Sequence, residues 1–376
     1  MKQNSDVLII GGGLAGLAAA IHLSKKKLNV TLIEKSAYPR HKVCGEYVSN
    51  EILPYLKWLD ADVSELFPAS ISQFEFSTND GKIAKAKLPL GGFGVSRYSL
   101  DYFLYQKALA HNCTIIKDTV TAIAFENELF TVTTTSQVLT SKIVLGAFGK
   151  RSNLDQVLNR KFIVKKSPWL AVKAHYSGNL DSELVALHNF NGGYCGVSKV
   201  ENDIINICYL ADYKTFKKYK NIEDYQTNIL YKNPHLKSIF QNSTLLFDKH
   251  LSISQICFEK KQSVENHILM IGDTAGLIHP LCGNGMAMAF HSAKIVSEQL
   301  LDFFSDSKIS RETLEKNYAR EWKRHFGRRI LMGRILARIL IHKKLTSLLV
   351  FLAVSFPGLL PAIIKQTHGN PITIKE

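Results

Sequence analysis

The chain has 376 residues, of which 46% are hydrophobic and 21% charged; this balance excludes a disordered chain and is enough for one large domain or two ordinary ones. Lys and Arg outnumber Asp and Glu by 47 to 32, a formal net charge of +15 that suits an anionic membrane surface, an anionic substrate or nucleic acid. No zinc-finger or RNP-type motif accompanies the charge, so nucleic acid is not expected. Six cysteines, at 44, 113, 195, 208, 257 and 282, form no CxxC pair and no zinc spacing. No metal site is therefore expected, and a reducing, cytoplasmic setting is. The polar start Met1–Asp6 and the short glycine-rich run behind it do not read as a secretory signal.

The first predicted element is a buried parallel strand, Asp6-Val7-Leu8-Ile9-Ile10. Gly11, Gly13 and Gly16 follow as GxGxxG, then a helix of small and apolar residues from Leu17, then a second strand, Asn29–Ile33, ending on Glu34 and Lys35. The roles follow from size. Gly11 permits the turn off the strand, Gly13 lets a pyrophosphate approach the backbone, and Gly16 lets helix and strand pack closely. The helix N-terminus offers free N–H groups and a positive dipole end to phosphates, and Leu14 and Ala15 in the glycine-rich turn are candidate cofactor-binding residues with it. Glu34 is placed to accept from both ribose hydroxyls. This unit alone specifies a dinucleotide without choosing which.

Three further motifs come next in the chain. Pro39-Arg40-His41-Lys42-Val43-Cys44-Gly45-Glu46 follows the ribose acid. Ser96-Arg97-Tyr98-Ser99-Leu100-Asp101 opens a predicted helix. Ile268–Ile271 is a buried strand ending on Gly272-Asp273, with a glycine-rich turn and a helix beginning near Gly285-Met286 behind it.

Together these four motifs resemble the geranylgeranyl reductase family, within the FAD-dependent aromatic-hydroxylase-like flavoprotein group, over roughly residues 5–300. The resemblance implies FAD as cofactor. It implies that Gly272 and Asp273 meet the ribityl chain, and that the helix at Gly285 and Met286 aims its N-terminus at the flavin O2 side. Arg40 and Arg97 are implied near the phosphates or ring, and Val120 near adenine. Cys44 and Gly45 are implied beside the isoalloxazine. Cys44 has cationic neighbours in sequence, the setting of a reactive thiol, and packing against the flavin is its other reading. One departure is Phe148, where the wider group carries Asp. It leaves the electron donor open between NAD(P)H and a ferredoxin-like carrier.

Residues 160–260 change character. Trp169–Tyr176, Leu184–Asn189, Tyr194–Lys199 and Ile204–Leu210 read as strands separated by turn signals. Gly192–Lys199 stands where the reductases carry an aromatic-rich substrate motif, with Cys195, Val197 and Ser198 in place of its tryptophan and Phe-Pro. Tyr194 is a candidate pocket residue, with cross-strand packing as its alternative. His279 and His291 bracket the flavin helix. Either has the chemistry of a general acid, and a buried structural histidine is the competing role.

The tail has no acid between Glu321 and Glu376. A basic helix, Trp322–Lys344, runs into Leu345–Ile364, 20 residues without a charge and broken by Pro357-Gly358 and Pro361. Residues 322–364 read either as a peripheral contact with a membrane's inner face or as an apolar cap over a substrate cavity.

The expected fold is α/β. A Rossmann-like FAD-binding domain (1–160 and 261–305) carries an inserted antiparallel β-sheet substrate domain (161–260) and a C-terminal helical region (306–376). The expected function is FAD-dependent reduction of carbon–carbon double bonds in an apolar, isoprenoid or polyene-like substrate. The alternative is a flavin monooxygenase or halogenase acting on an aromatic or carrier-bound substrate. Cys44 and Tyr194 are the candidate catalytic side chains.

Overall fold

A computed structural model describes residues 4–374. Its first sheet has eight strands. At the centre Asn4–Ile10 pairs in parallel with Val30–Glu34 on one side and Val138–Gly146 on the other. Thr114–Lys117 and Ile268–Met270 extend the parallel set outward. Val7 to Ile9 are fully buried, because helices cover one face of the sheet and the hairpin of Val120–Glu126 and Leu129–Thr134, with Leu154, covers the other. That is why the run is continuously apolar and does not alternate. The covering helix Leu14–Lys25 is rich in alanine, and Ala18, Ala19 and Ala20 let the Gly285–Ser305 helix approach closely through Ala287 and Ala293.

A second sheet of nine strands stands beside the first. Trp169–Gly178, Gly193–Lys199 and Ile205–Asp212 pair antiparallel, as does Leu184–Phe190 with Gly193–Lys199. These match the four expected strands to within two residues at each end. The organisation differs from expectation in one respect. Tyr47–Ser49, Ala69–Ser77 and Ile83–Gly94 belong to this second sheet, although they fall within the residues expected to build the FAD-binding domain. Leu184–Phe190 lies parallel to Ala69–Ser77 and joins the two contributions. A strand's local pattern shows which face is apolar, and the sheet it joins is fixed by distant partners.

The tail is helical. Arg311–Ile341 is one helix of 31 residues, begun by a Ser310 cap that accepts from Thr313 N–H at 3.2 Å. The expected basic helix is its second half, and it stops before His342. Lys343–Ser355 and Leu359–Thr367 follow, bent by 116° about the Phe356–Gly358 break. Among the described residues no single helix is long and apolar enough to cross a membrane, and this bent pair alone passes by length and composition. The inner side of the tail packs on the second sheet, where Val350, Ala353 and Leu360 meet Phe76 and Ala84.

Candidate functional site

A cleft of about 770 Å³ runs between the two sheets and under the C-terminal helices. Its first wall is built around two helix ends. The Leu14–Lys25 helix begins at Gly13 with no side-chain cap and no acid in its first turn. The Gly285–Ser305 helix begins at Asn284 in the same bare state. Two uncapped N-termini facing one cleft leave N–H groups and positive dipole ends for a ligand to satisfy. A side chain at Gly13 would project into open space, its nearest neighbour Arg97 Nη2 at 3.9 Å, so the cradle is clear for a bulky anion. Gly11 has φ +108°, and a Cβ there would stand 2.4 Å from the Ala147 carbonyl oxygen. Gly16 stands behind the cleft, where any Cβ would strike the Gly11 carbonyl oxygen at 2.0 Å.

The ribose acid is well braced. Glu34 Oε2 accepts from Gly12 N–H at 2.8 Å, and Oε1 accepts from Ser36 N–H at 3.0 Å and Arg40 Nη2 at 2.8 Å. Arg40 is thus held by the acid it neighbours in sequence. Lys35 is exposed at the rim, and Val120 opens a strand on the same wall with Asp118 and Thr119. Arg97 is not free either. Its Nε and Nη2 donate to Asp101 at 2.6 and 2.9 Å, and Lys42 Nζ joins at 2.5 Å. Burial pushes the Asp101 carboxyl up, but Arg97 and Lys42 outweigh it and hold it below the usual carboxylate range.

Asp273 sits on a tight turn, Gly272–Thr274, in which Gly272 has φ +59°. Among the described residues its carboxylate accepts no hydrogen bond, while its backbone is pinned. Lys261 Nζ donates to both Asp273 O and Lys150 O at 2.7 Å, and fully buried Arg160 donates to Thr274 O at 3.1 Å. Arg160 is itself neutralised by Asp155 at 2.9 Å and Glu265 at 2.6 Å. Burial lowers the Lys261 ammonium to about 8. A fixed turn with a free carboxylate is what recognition of a polyol chain needs.

Cys44 and Gly45 lie at the meeting of the two sheets. The Cys44 thiol is 3.7 Å from Met286 Sδ at the start of the Gly285 helix. Asn206 Nδ2, from the second sheet, donates to Gly45 O at 2.8 Å and Cys44 O at 3.3 Å. Next in sequence, fully buried Glu46 has φ +55°. Its Oε1 accepts from Lys173 Nζ at 2.6 Å and Arg97 N–H at 2.7 Å, and its Oε2 is 2.7 Å from His175 Nε2. Burial raises the Glu46 carboxyl, and the His175 and Lys173 contacts more than reverse this and keep it ionised. The cluster locks the flavin-side loop to the second sheet.

The second wall is apolar. Phe76, Ala84 and Leu187 from the sheet face Val350, Ala353 and Leu360 from the C-terminal helices. Tyr194 lines the passage between the two walls, its phenolic oxygen buried without a hydrogen-bond partner among the described residues and its proton held tightly by burial. Phe148 also lines the cleft. Thus every expected cofactor or catalytic residue except Gly16 reaches one cavity.

His279 and His291 do not line it. His279 stacks on Phe258 at 4.5 Å, His291 packs on His325 at 4.7 Å, and burial lowers both imidazoles to about 3, which makes each a neutral structural group. Glu46 stands in the Pro39–Glu46 sequence motif without a role of its own there, and its partners Lys173 and His175, like Asn206, belong to no motif. Two basic residues inside the apolar run Trp169–Tyr176 were the available signal, since an unpaired charge is not tolerated there.

Comparison with known proteins adds to this geometry. The FAD dependent oxidoreductase family model matches residues 6–42, the dinucleotide unit, and supports FAD as the cofactor. Squalene epoxidase matches residues 210–337. A digeranylgeranylglycerophospholipid reductase of Methanosarcina acetivorans is 26% identical over 367 residues, covering 92% of this chain and 86% of that one. Among solved structures, the flavin-dependent brominase Bmp2 aligns with TM-score 0.79 at 18% identity, over 97% of this chain and 93% of its own. Halogenase PltM, solved with phloroglucinol and FAD, aligns with TM-score 0.76 at 17% identity, over 96% and 82%. These structures share the fold.

Proposed function

We propose that this FAD-dependent oxidoreductase reduces carbon–carbon double bonds in a long apolar substrate of isoprenoid or polyene type. The observation that carries the reading is the apolar chamber between Phe76, Leu187, Val350 and Leu360, continuous with the flavin cleft. The likeness to digeranylgeranylglycerophospholipid reductases over most of the chain agrees with it. Reduced FAD, when bound, would supply the hydride for one alkene carbon, and solvent would supply the proton for the other.

The chain's own residues do the rest. N–H groups at Gly13, Leu14 and Ala15 would hold the pyrophosphate, Glu34 the ribose, and Asp273 the ribityl hydroxyls. The Gly285 helix end would stabilise negative charge on the reduced ring. Cys44 and Gly45, fixed by Asn206, Glu46 and Met286, set the ring's position against the chamber. The chamber itself excludes water and lays the chain alongside the ring. Tyr194 keeps its proton and offers a hydrogen bond at the passage.

Oxygen or halogen transfer is the second reading, favoured by the squalene epoxidase match over 210–337. Reducing the flavin without oxygen and then admitting air separates the two. Prompt reoxidation supports the reductase, and a long-lived oxygenated flavin absorbance contradicts it. The electron donor is NAD(P)H or a ferredoxin-like carrier, and the rate of anaerobic flavin bleaching by each distinguishes them.

The cap's outer face supports peripheral contact with an anionic bilayer. Ile341, Phe351, Val354 and Phe356 are 61–66% exposed beside Arg338, Lys343 and Lys344, and no acid lies nearby in sequence. Flotation with acidic liposomes, compared with a Phe351→Ser/Phe356→Ser variant, tests this; equal flotation of both contradicts it.

A further inference from the structure

Asparagine is among the residues that most readily close a helix start, by accepting from an N–H of the first turn. Asn233 does this at its own helix, Pro234–Gln241. Its backbone is extended and its Oδ1 accepts from His235 N–H at 2.9 Å. Asn284 stands at the same position of the Gly285–Ser305 helix and does not cap it. Its backbone is turned to φ −111° and ψ 4°, and its side chain is fully buried. Nδ2 donates to Glu51 Oε1 at 3.0 Å, while Oδ1 has no hydrogen-bond partner among the described residues. A buried amide oxygen without a donor is costly. The helix thus forgoes a cap that its own sequence supplies, and Glu51 is the group that holds the amide.

Glu51 is itself fixed from several sides. It is fully buried on the Asn50–Ile52 turn, directly behind Tyr47–Ser49. Its Oε2 accepts from Gly369 N–H, its backbone oxygen accepts from Ile372 N–H at 2.7 Å, and Arg329 Nη1 stands 3.5 Å from Oε1. Gly369 and Ile372 follow the Leu359–Thr367 helix, and Ile372 is buried in the core that contains the Leu14–Lys25 and Gly285–Ser305 helices. A Cβ at Gly369 would strike both Glu51 Oε2 and Arg329 Nη2, so the close approach of this N–H needs glycine.

We propose that Glu51 is a positioning residue. It withholds the Asn284 amide from the Gly285 helix, so that the first-turn N–H groups stay bare for the flavin ring, and Gly369 and Ile372 keep it in place. The segment that holds Glu51 comes straight after the cap helices, so one carboxylate joins the seating of the cap to the helix end that faces the flavin. The inference rests on that helix end facing the ring, and not on the substrate or on the choice between reduction and oxygen transfer.

The test is a double-mutant cycle on FAD-loaded protein, read in the two-electron potential of the bound flavin. In Glu51→Ala the released amide caps Met286 or Ala287 N–H and takes it from the reduced ring. Adding Asn284→Ala removes that cap and should raise the preference for reduced over oxidised flavin roughly tenfold, about 30 mV for a two-electron couple. Asn284→Ala with Glu51 in place has no cap to remove and should move the potential far less. Loss of the Glu51 charge is common to both Glu51→Ala proteins and cancels in the cycle. Glu51→Ala leaves Arg329 buried without its counter-charge. If that protein does not fold, Glu51→Met/Arg329→Met removes both charges and takes its place in the same cycle. An equal shift from Asn284→Ala in both backgrounds, or no shift in either, overturns the proposal; a merely structural role for Glu51 gives the second result with lowered stability. A crystal structure of the FAD-loaded Glu51→Ala protein tells the failures apart. An Asn284 amide seated on the first-turn N–H groups without a change in potential means that the helix end does not face the ring. An amide that stays off those groups means that Glu51 is not what withholds it.

Discussion

The two walls of the cleft are built by opposite means. The flavin wall uses backbone: two bare helix ends at Gly13 and Gly285, a turn at Gly272, and glycines where a Cβ would collide. The substrate wall uses side chains from segments far apart, with Phe76, Leu187 and Val350 converging from residues 76 to 350. A backbone site is specified within a few residues and tolerates little change. A side-chain chamber is specified by the sum of many positions, and its shape can be altered while the cofactor stays. The Glu46 cluster is the seam between the two, since Arg97 N–H belongs to the first and Lys173 and His175 to the second.

Breaking the seam should have the largest effect. Glu46→Gln leaves Lys173 buried without its counter-charge, and should cost about 3–5 kcal/mol in stability, read from the urea midpoint. A change below about 1 kcal/mol would mean that the cluster relaxes into water and does not lock the walls. On the flavin side, Gly13→Val fills the open cradle. FAD affinity should fall on the order of 100-fold, equal to about 2.7 kcal/mol, and the protein should purify colourless yet folded. A yellow Gly13→Val protein would refute the placement of the pyrophosphate.

The chamber side should give the reverse pattern. Ala353→Phe overfills the apolar space at a stability cost of about 1–3 kcal/mol, with FAD retained and turnover of a long substrate lost. Loss of flavin in that variant would erase the distinction between the walls. A graded effect is expected in pH dependence. His188 at the second sheet and His22 under the first are both lowered to about 3 by burial, and His368 to about 4. Each folded value lies below the ordinary 6.5, so the unfolded chain binds more protons in acid. Stability is therefore complete above about pH 6.5 and falls below it, by up to about 1.4 kcal/mol per pH unit for each histidine. His188→Gln should flatten that slope by one proton, measured from urea midpoints between pH 7 and 5.

The same contrast explains what was legible in the sequence. Gly11, Gly13, Gly16 and Glu34 obey constraints set within one βαβ unit, and Gly272-Asp273 obeys those of one strand-to-turn junction. Their roles in turning, packing or facing a ligand could be read without knowing the rest of the chain. The strands at Tyr47–Ser49, Ala69–Ser77 and Ile83–Gly94 could not be assigned to a sheet, because they join it only through Ala69–Ser77, whose parallel partner Leu184–Phe190 lies more than a hundred residues later in the chain. Glu46 was visible as part of a motif, but its partners Lys173 and His175 looked like ordinary strand residues until burial paired them. The tail's two readings were cap and membrane contact. Its helices are two-faced, with Val350 and Ala353 turned to the chamber and Phe351 and Val354 turned outward.

The most direct test of the account is the mass of the product formed from a polyprenyl substrate by the protein with chemically reduced FAD, without oxygen. The account predicts a gain of two hydrogens for each double bond consumed and no other change. Retained double bonds without oxygen, or a product that forms only with oxygen or halide and gains either atom, would contradict it.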